Sequence, residues 1–213
     1  MKKPATETSA QRPVVLTNAR LRLAEGHLLK SDRVMAKLVR THGNCKLDAR
    51  TLQPFHALTT AIISQQLSTK AAATIATRVA LLAPRPFAPA ALLAVAPEAL
   101  RAAGLSSAKA RYIHELARWI EDGRLNFAQI RKLGDEAAIA ALTELPGIGR
   151  WTAEMFLIFT LKRPDVLSLG DAGLVRAVRQ LYGETAQMHH IAERWQPYRS
   201  VACWYLWRHL DND

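Results

Sequence analysis

The sequence is poor in cysteine, with only Cys45 and Cys203 among its 213 residues. Two cysteines cannot supply a framework of several disulfides, a four-cysteine iron–sulfur cluster or a zinc site built on cysteine. Long apolar runs are also absent, because the most apolar stretch, residues 88–105, contains two prolines and two charged side chains. No apolar segment follows the first lysines, as a signal peptide would require. We therefore expect a soluble intracellular protein with no membrane partner, cytoplasmic and nucleoid-associated if its source is bacterial.

Acidic residues are scarce relative to basic ones. The chain has 18 Asp and Glu against 29 Lys and Arg, which gives a net charge of +11 with neutral histidines. Such an excess attracts phosphates at long range, so a polyanion is the leading class of partner. Hydrophobic residues make up 49% of the sequence, which is too many for a chain that stays disordered.

The alternation typical of β-strands is hard to find, and apolar residues recur at helical spacing instead. Such stripes run through residues 72–82, 113–120 and 174–181. Ser68 precedes the first stripe as a plausible N-cap, and either Ser106 or Ser107 precedes the second. The pattern predicts an all-α protein of roughly ten short helices, preceded by a flexible polar tail at residues 1–15.

The most informative segment is LPGIGRWTA at residues 145–153. It joins a helical pattern at about residues 135–143 to an apolar helix at about residues 150–161. A short turn of this kind leaves backbone N–H groups free at a helix N-terminus, where they suit a phosphate oxygen. Gly147 and Gly149 lack a Cβ and so allow a sugar–phosphate backbone to approach. The alternative is an ordinary corner between two helices, with glycines as helix stops.

Asp171 lies 20 positions after Trp151, at the start of the third apolar stripe. By itself this position indicates an N-cap carboxylate. The N-cap role is compatible with a catalytic one, because a helix N-terminus favours an anion and an anion stabilises a cationic transition state.

Together, the hairpin and the downstream aspartate resemble the helix–hairpin–helix DNA glycosylases. Within that family the chain is most similar to the alkylation-repair branch, the 3-methyladenine DNA glycosylases of type II. The resemblance covers roughly residues 54–210. It is carried by SQQLS at 64–68, GLSSAKA at 104–110, the hairpin at 145–153, LGDAGLVR at 169–176 and AERWQPYRS at 192–200.

This resemblance implies an enzyme that flips a damaged base out of double-stranded DNA and hydrolyses its N-glycosidic bond. Asp171 would stabilise the positive charge on the sugar and orient or deprotonate water. Bifunctional relatives have a lysine at the position of Trp151, so a monofunctional enzyme is expected, acting on 3-methyladenine and 7-methylguanine. The alternatives are a glycosylase for a deaminated or oxidised base and a non-catalytic DNA-binding module.

The resemblance also assigns a base pocket. Trp151 and Trp207 match tryptophans of the similar enzymes and would stack on the flipped base, or else they simply pack in the core. Met155, one helical turn after Trp151, would border the same space. Ala172 replaces a tyrosine of the similar enzyme, which predicts a roomier pocket.

The remaining expectations concern DNA contacts and a cation. Gly147, Ile148, Gly149 and Arg150 would contact phosphates. Family hairpins bind a monovalent cation, sodium or potassium, through backbone carbonyls that here belong to Thr143, Leu145 and Ile148. No other cofactor is expected.

One loop of the family inserts a wedge into the gap that the flipped base leaves. Gln66 takes that position by alignment, and Leu67 is the other candidate. The alternative is a helix end capped by Gln65 and Ser68.

The expected architecture has two helical subdomains with the active cleft between them. Residues 54–160 would form one subdomain, and residues 16–53 with 161–213 the other. The similar enzymes carry an additional N-terminal β-domain, for which the chain before Pro54 is too short, so a compact monomeric form is expected. The adjacent His189 and His190 lack the spacing of metal ligands, and we interpret them as surface residues.

Overall fold

The computed structural model describes residues 13–48, 52–83 and 87–211. These residues form thirteen α-helices and one 3-10 helix and contain no β-strand, so the all-α prediction is confirmed. The helices are α1 (Asn18–Ser31), α2 (Arg33–His42), α3 (Pro54–Ser64), α4 (Thr69–Leu82), α5 (Pro89–Leu93), α6 (Pro97–Ala102), α7 (Ser107–Glu121), α8 (Phe127–Ile130), α9 (Asp135–Thr143), α10 (Arg150–Phe159), α11 (Ala172–Tyr182), α12 (Met188–Ala192), the 3-10 helix (Glu193–Trp195) and α13 (Arg199–Leu210).

The prediction of about ten helices was too low because four helices are very short. Helices α5, α6, α8 and α12 contain four to six residues each. One turn and a half is too short for a 3.6-residue period to repeat, so apolar spacing does not reveal such helices. Proline in the first turn of α5 and α6 was their available signal.

The predicted helix starts at Ser68 and Ser106 are confirmed. Ser68 accepts a hydrogen bond from the Ala71 N–H at 3.3 Å, and Ser106 accepts one from the Lys109 N–H at 3.2 Å. Ser106 and not Ser107 is therefore the N-cap of α7.

The start of the chain joins the core at Leu16. Residues 1–12 of the predicted tail lie outside the described residues. Val14 and Val15 are about half exposed, whereas Leu16 is buried and donates its N–H to the Lys162 carbonyl at 2.7 Å.

Helix packing places two groups of helices around one continuous hydrophobic core. In one group α3, α5 and α6 pack on α7, α4 packs on α3 and α6, and α10 packs on α9 and α3. In the other group α13 packs on α1, α2 and α11. None of the helices in the described ranges is long and apolar enough to cross a membrane.

Asp32 is a buried carboxylate that connects three parts of the second group. As the N-cap of α2, its Oδ1 accepts the N–H groups of Val34 and Met35 at 2.8 and 3.1 Å. Its Oδ2 accepts the Tyr182 hydroxyl at 2.9 Å and the Trp195 indole N–H at 3.1 Å. Burial, followed by the nearby Asp32 charge, raises the pKa of Tyr182, so the phenol stays a donor to the carboxylate.

We expect Asp32→Ala to lower the free energy of unfolding by about 2–4 kcal/mol, because it removes a helix cap and leaves a buried hydroxyl and a buried indole without an acceptor. Urea unfolding followed by circular dichroism measures the change. Asp122→Ala is the matched control, since Asp122 forms only an exposed ion pair with Arg124. Equal effects of the two substitutions would contradict the role given to Asp32.

Candidate active site

The centre of the site is the carboxylate of Asp171, which is 8% exposed. Asp171 is the N-cap of α11, and its Oδ1 accepts the Leu174 N–H at 2.8 Å. The same oxygen accepts the Trp207 indole N–H at 3.1 Å, and Oδ2 accepts the Trp151 indole N–H at 2.7 Å. The structure therefore brings Asp171, Trp151 and Trp207 together from three helices, α11, α10 and α13.

These hydrogen bonds leave acceptor capacity on one side of the carboxylate. Each oxygen of an ionised carboxylate has about two lone-pair sites. Oδ1 already accepts two N–H groups, whereas Oδ2 accepts one. Within the described residues, Oδ2 is consequently the Asp171 oxygen with acceptor capacity left.

Aromatic and apolar side chains surround this carboxylate. Trp151 is 50% exposed, and the ring of Trp207 lies 5.5 Å from the ring of Phe159, at an interplanar angle of 33°. Phe159 is itself 41% exposed, and the sequence analysis missed it. Its spacing of eight residues from Trp151 on one helix, with Met155 halfway between, was the available signal.

The two smaller predicted pocket residues lie on the helices that carry Trp151 and follow Asp171, α10 and α11. Met155 is half-buried and packs against the core one helical turn after Trp151. Ala172 is exposed at the first position of α11. Gly173, which the sequence analysis missed, follows it, and a Cβ there would lie 3.1 Å from Asp171 Oδ1 and 3.6 Å from the Trp207 ring. A side chain at that position would crowd the carboxylate and the indole.

A second buried carboxylate supports the turn before Asp171. Glu154, on α10, accepts the Ser168 hydroxyl at 2.5 Å through Oε2 and the Arg150 Nε–H at 2.9 Å through Oε1. The Ser168 carbonyl in turn accepts the Asp171 N–H at 3.2 Å. The sequence analysis missed this connection, because only the i, i+4 spacing of Arg150 and Glu154 was visible in the sequence.

Arg150 is held by carboxylates on two helices. Its two terminal nitrogens donate to Glu136 at 3.0 and 2.6 Å, in addition to the bond with Glu154. Hydrogen bonding to Glu136 raises the pKa of Arg150, and the same bond lowers the pKa of Glu136. The phosphate contact of Arg150 stays a prediction, and a phosphate would compete there with the exposed Glu136.

The predicted hairpin consists of α9, a turn at residues 144–149 and α10. Gly147 adopts a φ of +85°, and a Cβ there would lie 2.4 Å from a ring carbon of Tyr112. The lack of a side chain at Gly147 therefore serves its packing on Tyr112. Gly149 faces open space, where the approach of a sugar–phosphate backbone stays a prediction. Ile148 is buried, so only its backbone can contact DNA.

The loop that carries Gln66 and Leu67 lies beside the hairpin. Both residues are exposed, and the loop, the start of α7 and the hairpin turn line one groove of about 650 Å³. Gln65 is the C-cap of α3 and Ser68 is the N-cap of α4, and the Gln65 side-chain amide also donates to the Gly147 carbonyl at 2.7 Å. The alternative interpretation of this loop, a helix end capped by Gln65 and Ser68, therefore agrees with the structure, and the wedge role stays a prediction.

The three carbonyls of the predicted cation site lie in the same hairpin. Thr143 is the last residue of α9, and the Leu145 carbonyl accepts the Ile148 N–H at 3.0 Å. A carbonyl oxygen has two lone pairs, so this hydrogen bond leaves one for a cation. Oxygen donors at the negative end of a helix fit a sodium or potassium ion.

The described residues contain no cluster of three or more His, Cys, Asp and Glu able to hold a metal ion. His189 and His190 are exposed neighbours whose ring centres lie 3.9 Å apart.

Residues 59–197 match the HhH-GPD superfamily of base excision DNA repair proteins. The chain belongs to this superfamily. The alkylbase DNA glycosidase-like protein mag2 of Schizosaccharomyces pombe is 29% identical over 198 residues, which cover 87% of this chain and 92% of that protein. The resemblance found in the sequence is thereby confirmed.

Two solved structures have the same fold. The crystal structure of a DNA-3-methyladenine glycosidase from Bacillus halodurans is 38% identical, with a TM-score of 0.78, and the match covers 87% of this chain and 88% of that one. The 3-methyladenine DNA glycosylase of Schizosaccharomyces pombe, solved with abasic DNA, is 32% identical, with a TM-score of 0.73 and coverage of 87% and 95%.

We expect Gly147→Ala to destabilise the protein by about 2 kcal/mol or more, because it combines a positive φ with a clash against Tyr112. Gly149→Ala is the matched control two residues away, with a φ of −88° and no atom within 4 Å of the added carbon. Thermal unfolding of the two variants checks the difference. A melting temperature of Gly147→Ala close to that of Gly149→Ala would refute the packing role.

Proposed function

We propose that this protein is a monofunctional DNA glycosylase that removes alkylated bases, 3-methyladenine and 7-methylguanine, from double-stranded DNA. The observation that carries the proposal is the carboxylate of Asp171 between two indole N–H groups, with one free acceptor site on Oδ2. Family membership supports the same reaction class, since the matched superfamily comprises base excision DNA repair proteins.

The chemistry starts with extrusion of the damaged nucleotide into the aromatic pocket. When the N-glycosidic bond breaks, its electron pair leaves with the base and positive charge develops on the deoxyribose. The Asp171 carboxylate stabilises that charge from a largely dehydrated position. Water then forms the new bond to the sugar C1′ and gives up a proton, for which Asp171 Oδ2 is the acceptor with free capacity.

Strand cleavage would require an amine nucleophile, and this chain has none at the position where bifunctional relatives have a lysine. Trp151 occupies that position and donates its N–H to Asp171. The next lysine along the chain, Lys162, is buried and donates to the Leu47 carbonyl. Hydrolysis by water therefore leaves an abasic site in an uncut strand.

DNA would lie across the hairpin and the loop at residues 65–67. Free N–H groups at the start of α10 suit phosphate oxygens, and Gln66 is exposed on the loop beside the hairpin. Gln66 would enter the gap left by the flipped base. An ion on the carbonyls of Thr143, Leu145 and Ile148 would add positive charge beside a phosphate when bound. A chromosomal substrate would place the protein with the nucleoid in a bacterial cell.

We expect Asp171→Asn to reduce release of 3-methyladenine from methylated duplex DNA by about 10²–10³-fold, because the charge that stabilises the cationic sugar is lost. Duplex affinity should be retained. Free base is measured by chromatography, and gel analysis before and after alkali separates abasic from cut strands.

Asp122→Asn, at the exposed C-cap of α7, is the matched control and should keep full activity. Release that is equal in wild type and Asp171→Asn would refute the role of Asp171. A strand cut by the wild type without alkali would refute the monofunctional mechanism.

The Trp207 ring should favour cationic bases. We expect Trp207→Leu to reduce the excision of 7-methylguanine by about 2- to 30-fold relative to that of neutral hypoxanthine, since the cation–π attraction is worth about 0.5–2 kcal/mol. Trp207→Phe keeps an aromatic ring and should preserve more of the preference for 7-methylguanine over hypoxanthine than Trp207→Leu does. Single-turnover rates on the two substrates give the ratio, and a ratio unchanged in Trp207→Leu would contradict stacking on this indole.

A further inference from the structure

The Gln66 loop is a type II turn with an unusual residue at its third position. The Leu67 N–H donates to the Ser64 carbonyl at 3.2 Å, and Gln65 has φ −52° and ψ 129°. Gln66 has a φ of +57°, in the left-handed region. Glycine or asparagine normally occupies this position, because other side chains are strained there. Something outside the turn must hold Gln66 in place.

Lys109, in the first turn of α7, makes the contact that selects this turn. Its ammonium donates to the Ile63 carbonyl at 2.8 Å and to the Gln65 carbonyl at 2.6 Å. The second carbonyl belongs to the peptide between Gln65 and Gln66, and the orientation of that peptide distinguishes a type II turn from a type I turn. Lys109 thus fixes the peptide whose rotation would release Gln66 from its positive φ.

The same surface of α7 also holds the hairpin. The Tyr112 ring, three residues after Lys109, lies against Gly147. The Gln65 side-chain amide donates to the Gly147 carbonyl at 2.7 Å. Loop, hairpin and α7 are therefore joined by two hydrogen-bonding side chains and one ring contact, and the distance from Gln66 to the hairpin turn is set by these contacts.

We infer that Lys109 and Gln65 are positioning residues that hold Gln66 ready for insertion into the gap in the duplex. This inference rests on the proposed function, in which Gln66 takes the place of the flipped base. Because the strained turn is already formed, the free-energy cost of ordering the loop does not fall on DNA binding. Without this preorganisation, that cost would reduce the rate of insertion.

Two other roles for Lys109 lead to different expectations. As a phosphate ligand, it would contribute equally to binding of damaged and undamaged DNA and to the salt dependence of affinity. Its ammonium is instead already bound to two carbonyls. As a simple cap for the end of α3, it would affect stability and leave insertion unchanged.

The test uses the full-length protein with Lys109→Met, which keeps an unbranched side chain one atom shorter and removes the ammonium donors. Insertion is followed by the fluorescence of 2-aminopurine placed opposite a stable abasic analogue in a duplex, a signal that requires no catalysis. We expect insertion to slow about tenfold, with single-turnover release of 3-methyladenine reduced in parallel. Lys70→Met is the charge-matched control, because Lys70 is exposed at the start of α4 and makes no side-chain hydrogen bond within the described residues.

A rescue experiment separates positioning from stability. Asparagine tolerates a positive φ, so Gln66→Asn should keep the turn type II without help from Lys109. The effect of Lys109→Met on insertion should therefore shrink to about threefold or less in the Gln66→Asn background. Gln65→Leu, which removes the tether to Gly147 and leaves Lys109 intact, provides a second variant should Lys109→Met fold poorly, and it should also slow insertion.

The outcomes are distinct. Slower insertion in Lys109→Met, with rescue by Gln66→Asn, supports the inference even if the wild type releases no 3-methyladenine, in which case only the proposed function fails. Equal behaviour of Lys109→Met and Lys70→Met overturns the inference. The inference is also overturned if the slower insertion of Lys109→Met follows its melting temperature and is not rescued by Gln66→Asn. Normal insertion in Gln65→Leu overturns the inference as well.

Discussion

The arrangement of the site depends on the carboxylate of Asp171, which is shared by three helices. It caps α11, and it accepts the indole N–H groups of Trp151 from α10 and Trp207 from α13. A buried carboxylate is costly unless its oxygens are hydrogen-bonded, and these donors provide that compensation. The same bonds fix the edge of each indole against the carboxylate. One charged group thereby determines both the electrostatics of the pocket and the orientation of its aromatic walls.

A second layer of polar contacts keeps that carboxylate in position. Glu154 is buried and binds the Ser168 hydroxyl, and Ser168 binds the backbone N–H of Asp171. Arg150 joins Glu154 to Glu136, so the start of α10 and the helix before the hairpin are tied to the same network. Because Glu154 is paired in this way, its buried charge is compensated. Removal of one partner would leave that charge unpaired in surroundings of low dielectric constant. The hairpin and the turn before Asp171 are thus mechanically connected.

Local signals in the sequence predicted much of this structure. Apolar stripes located the long helices, Ser68 and Ser106 marked helix starts, and Asp171 was recognisable as an N-cap, because each of these features is written in neighbouring residues. Trp151 and Trp207 were assigned to the site by family resemblance. The contacts of Phe159 with Trp207 and of Gln65 with Gly147 were not predictable in this way, since each joins residues distant in sequence; only the helical spacing of Phe159 from Trp151 was visible. Gly147 was predicted to lack a Cβ so that DNA could approach, whereas its packing on Tyr112 was not predictable, because that contact crosses 35 positions of the chain.

Recognition and chemistry place opposite demands on the protein, and the fold separates them. In the proposed function the loop enters a duplex and must be rigid before DNA arrives, and charged and amide donors hold its strained turn beside the hairpin. The proposed base pocket must accept a ligand, and Trp151 is half exposed while its N–H is held by Asp171. The two regions meet in α10, whose first residues end the hairpin and whose Trp151 donates to Asp171. A single helix therefore connects the hairpin to the carboxylate, because Trp151 is the second residue of α10 and its indole N–H is bound to Asp171.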